Sequence, residues 1–140
     1  MSVQSFTPTK QYPSFSGLIN EVISPATYSN AANNTLLTGD VLGGLITHTA
    51  AGAQTDTLPS AALLVPLIEG AQVGSAIRFF VKAGGAGTIT VAAGAGGTLT
   101  GTATVATGNI KEFLLVVTAL PDQFGNGATY TVYSLGTSTF

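Results

Sequence analysis

Residues 109–120 read NIKEFLLVVTAL, and this stretch indicates the fold class more clearly than any other part of the sequence. In a strand, alternate side chains point to opposite faces, so Phe113, Leu115 and Val117 share one face. Leu114 and Val116 share the other face with Thr118. Both faces are apolar, which predicts a strand at the centre of a sheet or between two layers.

Shorter segments on both sides of this stretch also have residue patterns that are typical of strands. Residues 76–82 alternate, with Ile77, Phe79 and Val81 on one face, and residues 128–135 alternate as well. Residues 87–94 (GTITVAAG) and 101–108 (GTATVATG) repeat a Thr-x-Thr-Val strand pattern, which predicts a meander of short antiparallel strands. A further strand is predicted over 41–49, followed by a loop or weak strand over 50–57.

One helix is predicted after Thr57. Pro59 fits the first helical position, residues 61–68 are almost entirely apolar, and Gly70 is a stop signal. Pro66 should kink or shorten this helix, which leaves one or two turns over a sheet edge. The sequence therefore predicts an all-β domain, a mainly antiparallel β-sandwich or barrel-like fold, with one short helix.

Residues 1–35 differ from the rest and predict an extended N-terminal arm, with the single β-rich domain spanning 36–140. Prolines interrupt regular structure, and spaced aromatic residues are suited to anchoring the arm on a protein surface. The arm either wraps over its own domain or makes an intermolecular contact. The candidate partner-binding residues are the arm aromatics and the C-terminal residue: Phe6, Tyr12, Phe15, Tyr28 and Phe140.

Charged residues are unusually rare in this chain of 140 residues. They make up 7% of it, against roughly 25% in an average globular protein. The net charge of −2, without a basic tract, argues against nucleic acid and anionic membranes as partners. Apolar runs are shorter than the roughly 20 residues that span a bilayer, so we expect a soluble chain. Much of its surface should be small and polar, or hidden against partner proteins.

No pattern for catalysis or for binding a cofactor, metal or small-molecule substrate stands out. The only histidine, His48, could join Asp56 and Ser60, but no nucleophile motif supports that set, and a polar residue at a strand end is the simpler interpretation. The carboxylates are scattered, and the Gly-rich stretches lack the lysine of a phosphate loop, which favours strand turns. Four charged residues are candidates for cross-strand pairs, on a face that either positions a partner or, more simply, is solvated: Arg78, Lys82, Lys111 and Glu112.

Several segments together carry a family resemblance. They are TLPSAAL (57–63), IEGAQVG (68–74), IRFFV (77–81), FLLVVT (113–118) and YTVYSLGT (130–137). This pattern, covering roughly residues 40–140, resembles small virion structural proteins of tailed bacteriophages, in particular capsid decoration (cement) proteins. The arm carries no part of it.

The resemblance implies a non-enzymatic protein added to the outside of a capsid. Such proteins commonly form trimers that clamp neighbouring major capsid proteins, so the expected partners are the major capsid protein and further copies of this chain. The expected location is the virion exterior, after a soluble stage in the host cytoplasm. Two alternatives stay open: another phage structural component, such as a head fibre base, tail or spike module, and a carbohydrate-binding or adhesin module that would use an aromatic such as Tyr130 or Tyr133.

Overall fold

A computed structural model describes residues 22–140 and shows a β-rich chain with little helix. The helices are short: α1 (Thr38–Leu42) and α2 (Ala61–Leu64), the latter continued by a 3-10 turn (Val65–Leu67). The strands are β1 (Ala26–Tyr28), β2 (Asn34–Thr35), β3 (Leu45–His48), β4 (Gln54–Thr57), β5 (Ala76–Ala83), β6 (Ile89–Ala92), β7 (Gly97–Thr100), β8 (Thr104–Val105), β9 (Asn109–Ala119) and β10 (Thr129–Thr139). The predicted β-rich class is therefore confirmed.

The strands form two sheets, and both sheets are mixed. The six-stranded sheet has the order β1-β3-β5-β9-β10-β7, and the four-stranded sheet has the order β2-β4-β6-β8. Parallel pairs join β1 to β3, β3 to β5, β2 to β4, β4 to β6 and β7 to β10. The prediction of mainly antiparallel pairing is therefore wrong.

From β1 to β6, successive strands alternate between the two sheets. From β3 onward, each of these strands pairs in parallel with the strand that lies two positions before it in the sequence. The chain thus winds through three similar coils: β1–β2, β3–β4 and β5–β6. The second and third coils stack without a change of register, because Thr47 pairs with Lys82 and Asp56 with Val91, an offset of 35 residues in both sheets.

The turns between the sheets stack as well. Residues 84–88, which join β5 to β6, lie directly against residues 49–53, which join β3 to β4. The Gly87 N–H donates to the Ala50 carbonyl at 2.8 Å. A Cβ on Gly87 would lie 2.0 Å from the Gly52 carbonyl oxygen, and one on Gly85 would lie 2.3 Å from that of Ala50. The Gly-rich stretch is therefore a strand turn, as predicted, and glycine permits its close backbone contact.

Buried residues from both sheets form one hydrophobic core. On β9, Phe113, Leu115 and Val117 are fully buried, and the Phe113 ring stacks on Phe79 of β5 with 5.3 Å between centroids. The predicted central position of the strand is confirmed, because β9 lies between β5 and β10.

Three local predictions need correction. The predicted strand over 41–49 begins only at Leu45, because α1 occupies the preceding residues and Asp40 accepts the Leu37 N–H at its start. The predicted meander does not form: β6 and β8 pair within the four-stranded sheet, whereas the intervening β7 joins β10 in the other sheet. The helix after Thr57 forms, but it begins at Ala61 and not at the predicted Pro59, which precedes the N-cap residue Ser60. Pro66, which has no N–H to donate, lies in the 3-10 continuation of the helix.

The described part of the predicted arm contributes β1 and β2 to the sheets. The arm residues Phe6, Tyr12 and Phe15 lie outside the described residues. Between residues 22 and 140, no helix is long and apolar enough to cross a membrane.

Candidate interaction surface

An apolar groove lies where three parallel strands of the four-stranded sheet end. Because β2, β4 and β6 run parallel, the segments that follow them leave the sheet at the same edge. Leu36 and Leu37 follow β2, Leu58 and Pro59 follow β4, and residues 93–95 follow β6. Helices α1 and α2 come next after the first two strands and form the walls.

This groove has a volume of about 720 Å³. We call it the leucine groove, because three of its lining residues are exposed leucines: Leu37 at 66%, Leu63 at 64% and Leu67 at 57%. Leaving an apolar side chain of this size in water instead of burying it costs roughly 1.5–3 kcal/mol. The groove therefore suits an apolar side chain of another protein segment better than a polar small molecule.

The leucine exposure follows from the helix period. Ala61, Leu64 and Val65 are fully buried, whereas Leu63 and Leu67, four residues apart, share the opposite side. The apolar run over 61–68 predicts a helix that packs on the sheet. The prediction does not include the second apolar face of this helix, which carries Leu63 and Leu67. A helix that is apolar all round is normally buried on every side, so the exposure of Leu63 and Leu67 is unusual.

Asp40 and Tyr28 connect the groove wall to β1. One carboxylate oxygen of Asp40 accepts the Tyr28 hydroxyl at 2.5 Å and the Leu37 N–H at 2.8 Å. Burial of the phenol, together with the hydrogen bond to the Asp40 carboxylate, raises the pKa of Tyr28 to about 12. Tyr28 was predicted as a partner-binding aromatic; the structure places it half-buried in this contact.

This raised pKa predicts a loss of stability in alkali. The folded state holds the Tyr28 proton more tightly than the unfolded chain, whose tyrosines titrate near pH 10. The contribution is complete below about pH 10 and is lost as the pH rises towards 12. Tyr28→Phe should therefore reduce the decline in unfolding free energy across this range, measured by urea denaturation. An identical decline in the variant would contradict the prediction.

A second apolar surface is the outer face of the six-stranded sheet. The register places Leu45, Phe80, Leu114 and Val116 on this face, and all four are half-buried. The predicted cross-strand charge pairing is found here for two of the four residues, because Arg78 forms an ion pair with Glu112. Lys111 is instead nearly buried and donates to the Thr102 carbonyl at 2.7 Å. Lys82 places its ammonium 4.2 Å from the centre of the Phe140 ring, which is 56% exposed. Charged side chains therefore interrupt the apolar surface of the outer face, whereas the leucine groove exposes three neighbouring leucines.

His48 and Asp56 do meet, but inside the protein. The His48 Nδ1 lies 3.0 Å from both Asp56 carboxylate oxygens, and Nε2 lies 3.1 Å from the Asn30 carbonyl. Each ring nitrogen therefore has an oxygen acceptor within hydrogen-bond distance. Both side chains are fully buried. The pair therefore joins β3 of one sheet to β4 of the other, and no substrate can reach it in this state.

Ser60, the third residue considered for a catalytic set, begins α2 and lines the leucine groove. No hydrogen bond among residues 22–140 joins it to His48 or Asp56. The same part of the chain contains no group of three or more His, Cys, Asp or Glu side chains placed to hold a metal ion.

The tyrosines considered for sugar binding differ in accessibility. Tyr130 is only 1% exposed, and its hydroxyl donates to the Pro59 carbonyl at 2.8 Å, so it has no free ring face. Tyr133 is 41% exposed.

Comparisons of this chain with protein family models, with curated proteins and with solved structures return no match.

Proposed function

We propose that this chain is a non-enzymatic virion structural protein that decorates the outside of a phage capsid. In this role it binds neighbouring major capsid proteins and stabilises their contacts as a homotrimer. The observation that carries the proposal is the leucine groove, an exposed apolar site on a chain that is only 7% charged. Exposed apolar clusters of this kind mark protein interaction sites.

The groove is better suited to binding a protein segment than to catalysing a reaction. Its acidic residue, Asp40, already accepts two hydrogen bonds, and the His48–Asp56 pair is sealed in the interior. Clamping requires buried area and shape complementarity, and it requires no reactive group. A trimer would present three grooves, and binding at several sites raises the overall affinity well above that of one site.

Substitution in the leucine groove should weaken capsid binding. Leu63→Asp replaces an exposed apolar side chain with a charge, and the loss of roughly 1.5–3 kcal/mol per buried leucine corresponds to at least about a ten-fold rise in Kd for each site. The measurement is sedimentation of the protein with purified expanded capsids that lack it, as a function of concentration. Saturation at a symmetric copy number is expected for the unsubstituted chain.

Leu135→Asp is the matched control, because Leu135 is a leucine 40% exposed on β10, outside the groove. It should bind capsids like the unsubstituted chain, and both variants should keep the same circular dichroism spectrum. No binding to capsids by the unsubstituted chain would overturn the capsid proposal. Binding to purified tails instead would favour a tail or fibre component, and binding to glycans that is lost in Tyr133→Ala would favour a carbohydrate-binding module.

A further inference from the structure

We propose that one end of the molecule is its docking surface, and that the partner presents apolar side chains bordered by lysine or arginine there. At this end β9 finishes and β3, β5, β7 and β10 begin. It carries the leucine groove, the loop before β5 (residues 68–75) and the β9–β10 loop (residues 120–128). We call it the apolar end. The identification of the partner as the major capsid protein rests on the function proposed above.

The apolar end is continuous, because its parts contact one another through the backbone. A Cβ on Gly96 would lie 2.9 Å from the Ala128 carbonyl oxygen and 3.0 Å from the Cβ of Ala61. The segment after β6 therefore joins helix α2, a wall of the groove, to the β9–β10 loop. The Gly74 N–H donates to the Val117 carbonyl at 2.8 Å, which places the loop before β5 beside the end of β9.

Most of the large apolar side chains that residues 22–140 expose lie at this end. Besides the three groove leucines, Val73 and Leu120 are exposed in the two loops, and Phe124 is 78% exposed in the β9–β10 loop. Those exposed away from this end are Tyr133, Leu135 and Phe140. Apolar side chains gathered on one part of a surface mark an interaction site, whereas single ones do not.

The opposite end has a different composition. Its turns consist entirely of Ser, Asn, Ala, Gly and Thr, and they span residues 29–33, 49–53, 84–88 and 106–108. These turns therefore expose neither a large apolar side chain nor a charged one. The difference between the two ends predicts an orientation in which the apolar end is covered by the partner and the opposite end faces solvent.

The β9–β10 loop holds Phe124 in position before any partner binds. The Asp122 Oδ1 accepts the Phe124 N–H at 2.8 Å and the Asn126 N–H at 2.9 Å, and the Asp122 N–H donates to the Asn126 carbonyl at 2.7 Å. A loop that is already ordered loses little conformational entropy on docking, so burial of the ring contributes more of its free energy to affinity. Aromatic anchors of this kind carry much of the binding energy of protein interfaces.

The charges indicate the kind of partner. Asp40, Glu69 and Asp122 lie at the apolar end. The basic residues among residues 22–140 lie elsewhere, on the outer face or near the opposite end: Arg78, Lys82 and Lys111. An acidic and apolar surface is complementary to an apolar protein surface bordered by lysine or arginine. The same charges disfavour an anionic membrane and a second copy of this end.

A single cysteine at either end tests the orientation in the full-length chain, which contains none. Gln123→Cys places a thiol beside Phe124, and Ala51→Cys places one in a turn of the opposite end; both positions are exposed. Each variant is bound to purified expanded capsids and then treated with a fluorescent maleimide. Labelling of Gln123→Cys should be lost on the capsids, whereas labelling of Ala51→Cys should equal that of the free protein.

Substitutions test the apolar contact and the charges separately. Phe124→Ser should raise the Kd for capsids at least about ten-fold, whereas Phe140→Ser, which removes an exposed ring near the opposite end, should not. Glu69→Gln should raise it about two- to five-fold at low salt and less at high salt. Ala51→Lys makes the same change in net charge at the opposite end and should have no effect. An unchanged Kd in Glu69→Gln would overturn the basic character of the partner.

The outcomes separate this docking surface from the capsid function. Capsid binding with both cysteines labelled alike, or with Ala51→Cys alone protected, would overturn the docking surface and leave the capsid function standing. Protection of Gln123→Cys on purified tails, without capsid binding, would support the docking surface and overturn the capsid function. Binding to neither particle would overturn both. Binding to neutral phosphatidylcholine vesicles that is lost in Phe124→Ser would overturn the protein partner in favour of a membrane.

Discussion

Asp56→Ala should lower the free energy of unfolding by about 1–3 kcal/mol, because it leaves the fully buried His48 ring nitrogen without its carboxylate acceptor. Removing one partner of a buried hydrogen bond costs more than the net value of the bond, since the remaining polar group has lost its hydration and gains nothing in return. Asn34 adds to the cost, because its side-chain amide donates to the Asp56 Oδ1 at 3.2 Å.

The expected loss can be measured by urea denaturation against a matched carboxylate deletion. Glu112→Ala removes an acidic group from the ion pair with Arg78, whose side chain is 54% exposed. Ion pairs accessible to water contribute about 0–1 kcal/mol, so this variant should remain close to the unsubstituted protein. Equal effects of the two substitutions would show that the His48–Asp56 contact is not the link between the sheets that its burial indicates.

The double variant His48→Leu, Asp56→Leu separates the cost of a broken pair from the value of the intact one. Replacing both partners with apolar residues leaves neither side chain as an unpaired buried polar group, so the double variant should recover part of the stability lost in Asp56→Ala. A double variant less stable than Asp56→Ala would mean that the pair contributes specific hydrogen bonding that apolar packing cannot replace.

The strands that could be predicted are those whose own residues determine their position. In β5, the alternation of side chains reports which face is buried, and in β9 an apolar run on both faces reports a central strand; the structure buries Phe79 and Phe113 accordingly. The helix after Thr57 could be predicted in part for a similar reason, because the apolar run and Pro66 act locally, although the helix begins at Ala61 and not at Pro59.

Strand pairing could not be predicted, because it depends on contacts distant in sequence. The segments 87–94 and 101–108 are nearly identical, yet β6 runs for four residues between β4 and β8, whereas β8 is a two-residue edge strand. Nothing in Thr-x-Thr-Val specifies which neighbour it joins. The coil arrangement arises from the matching lengths of two turns, a feature that only the shared offset of 35 residues reveals.

The position of the leucine groove could not be predicted from the sequence. Low charge indicated a surface covered by partners, but it did not indicate where. Leu37 and Leu63 are brought together because β2 and β4 are parallel, and that pairing is invisible in the sequence. His48 and Asp56 were considered together on chemical grounds, and their burial removed the catalytic interpretation.

Gly87→Ala is the substitution that tests the stacked coils most directly, with an expected loss of about 3 kcal/mol in the free energy of unfolding. Its new methyl group would lie 2.0 Å from the Gly52 carbonyl oxygen and 2.5 Å from the carbonyl carbon. These are backbone atoms, which cannot move aside as the end of a flexible side chain can. Forcing extra volume into a close contact typically costs 1–3 kcal/mol, and here the turns would have to separate.

Gly52→Ala is the matched control, because it adds the same methyl group to the other turn of the same contact. A Cβ on Gly52 meets nothing within 4 Å, so the change should stay within about 0.5 kcal/mol. The two substitutions have the same composition and differ only in the direction of the added methyl group. A large loss for Gly87→Ala alone would therefore establish that the turn over 84–88 rests on the turn over 49–53. Equal stabilities would mean that the turns are not in contact and that the coils are held by their strands alone.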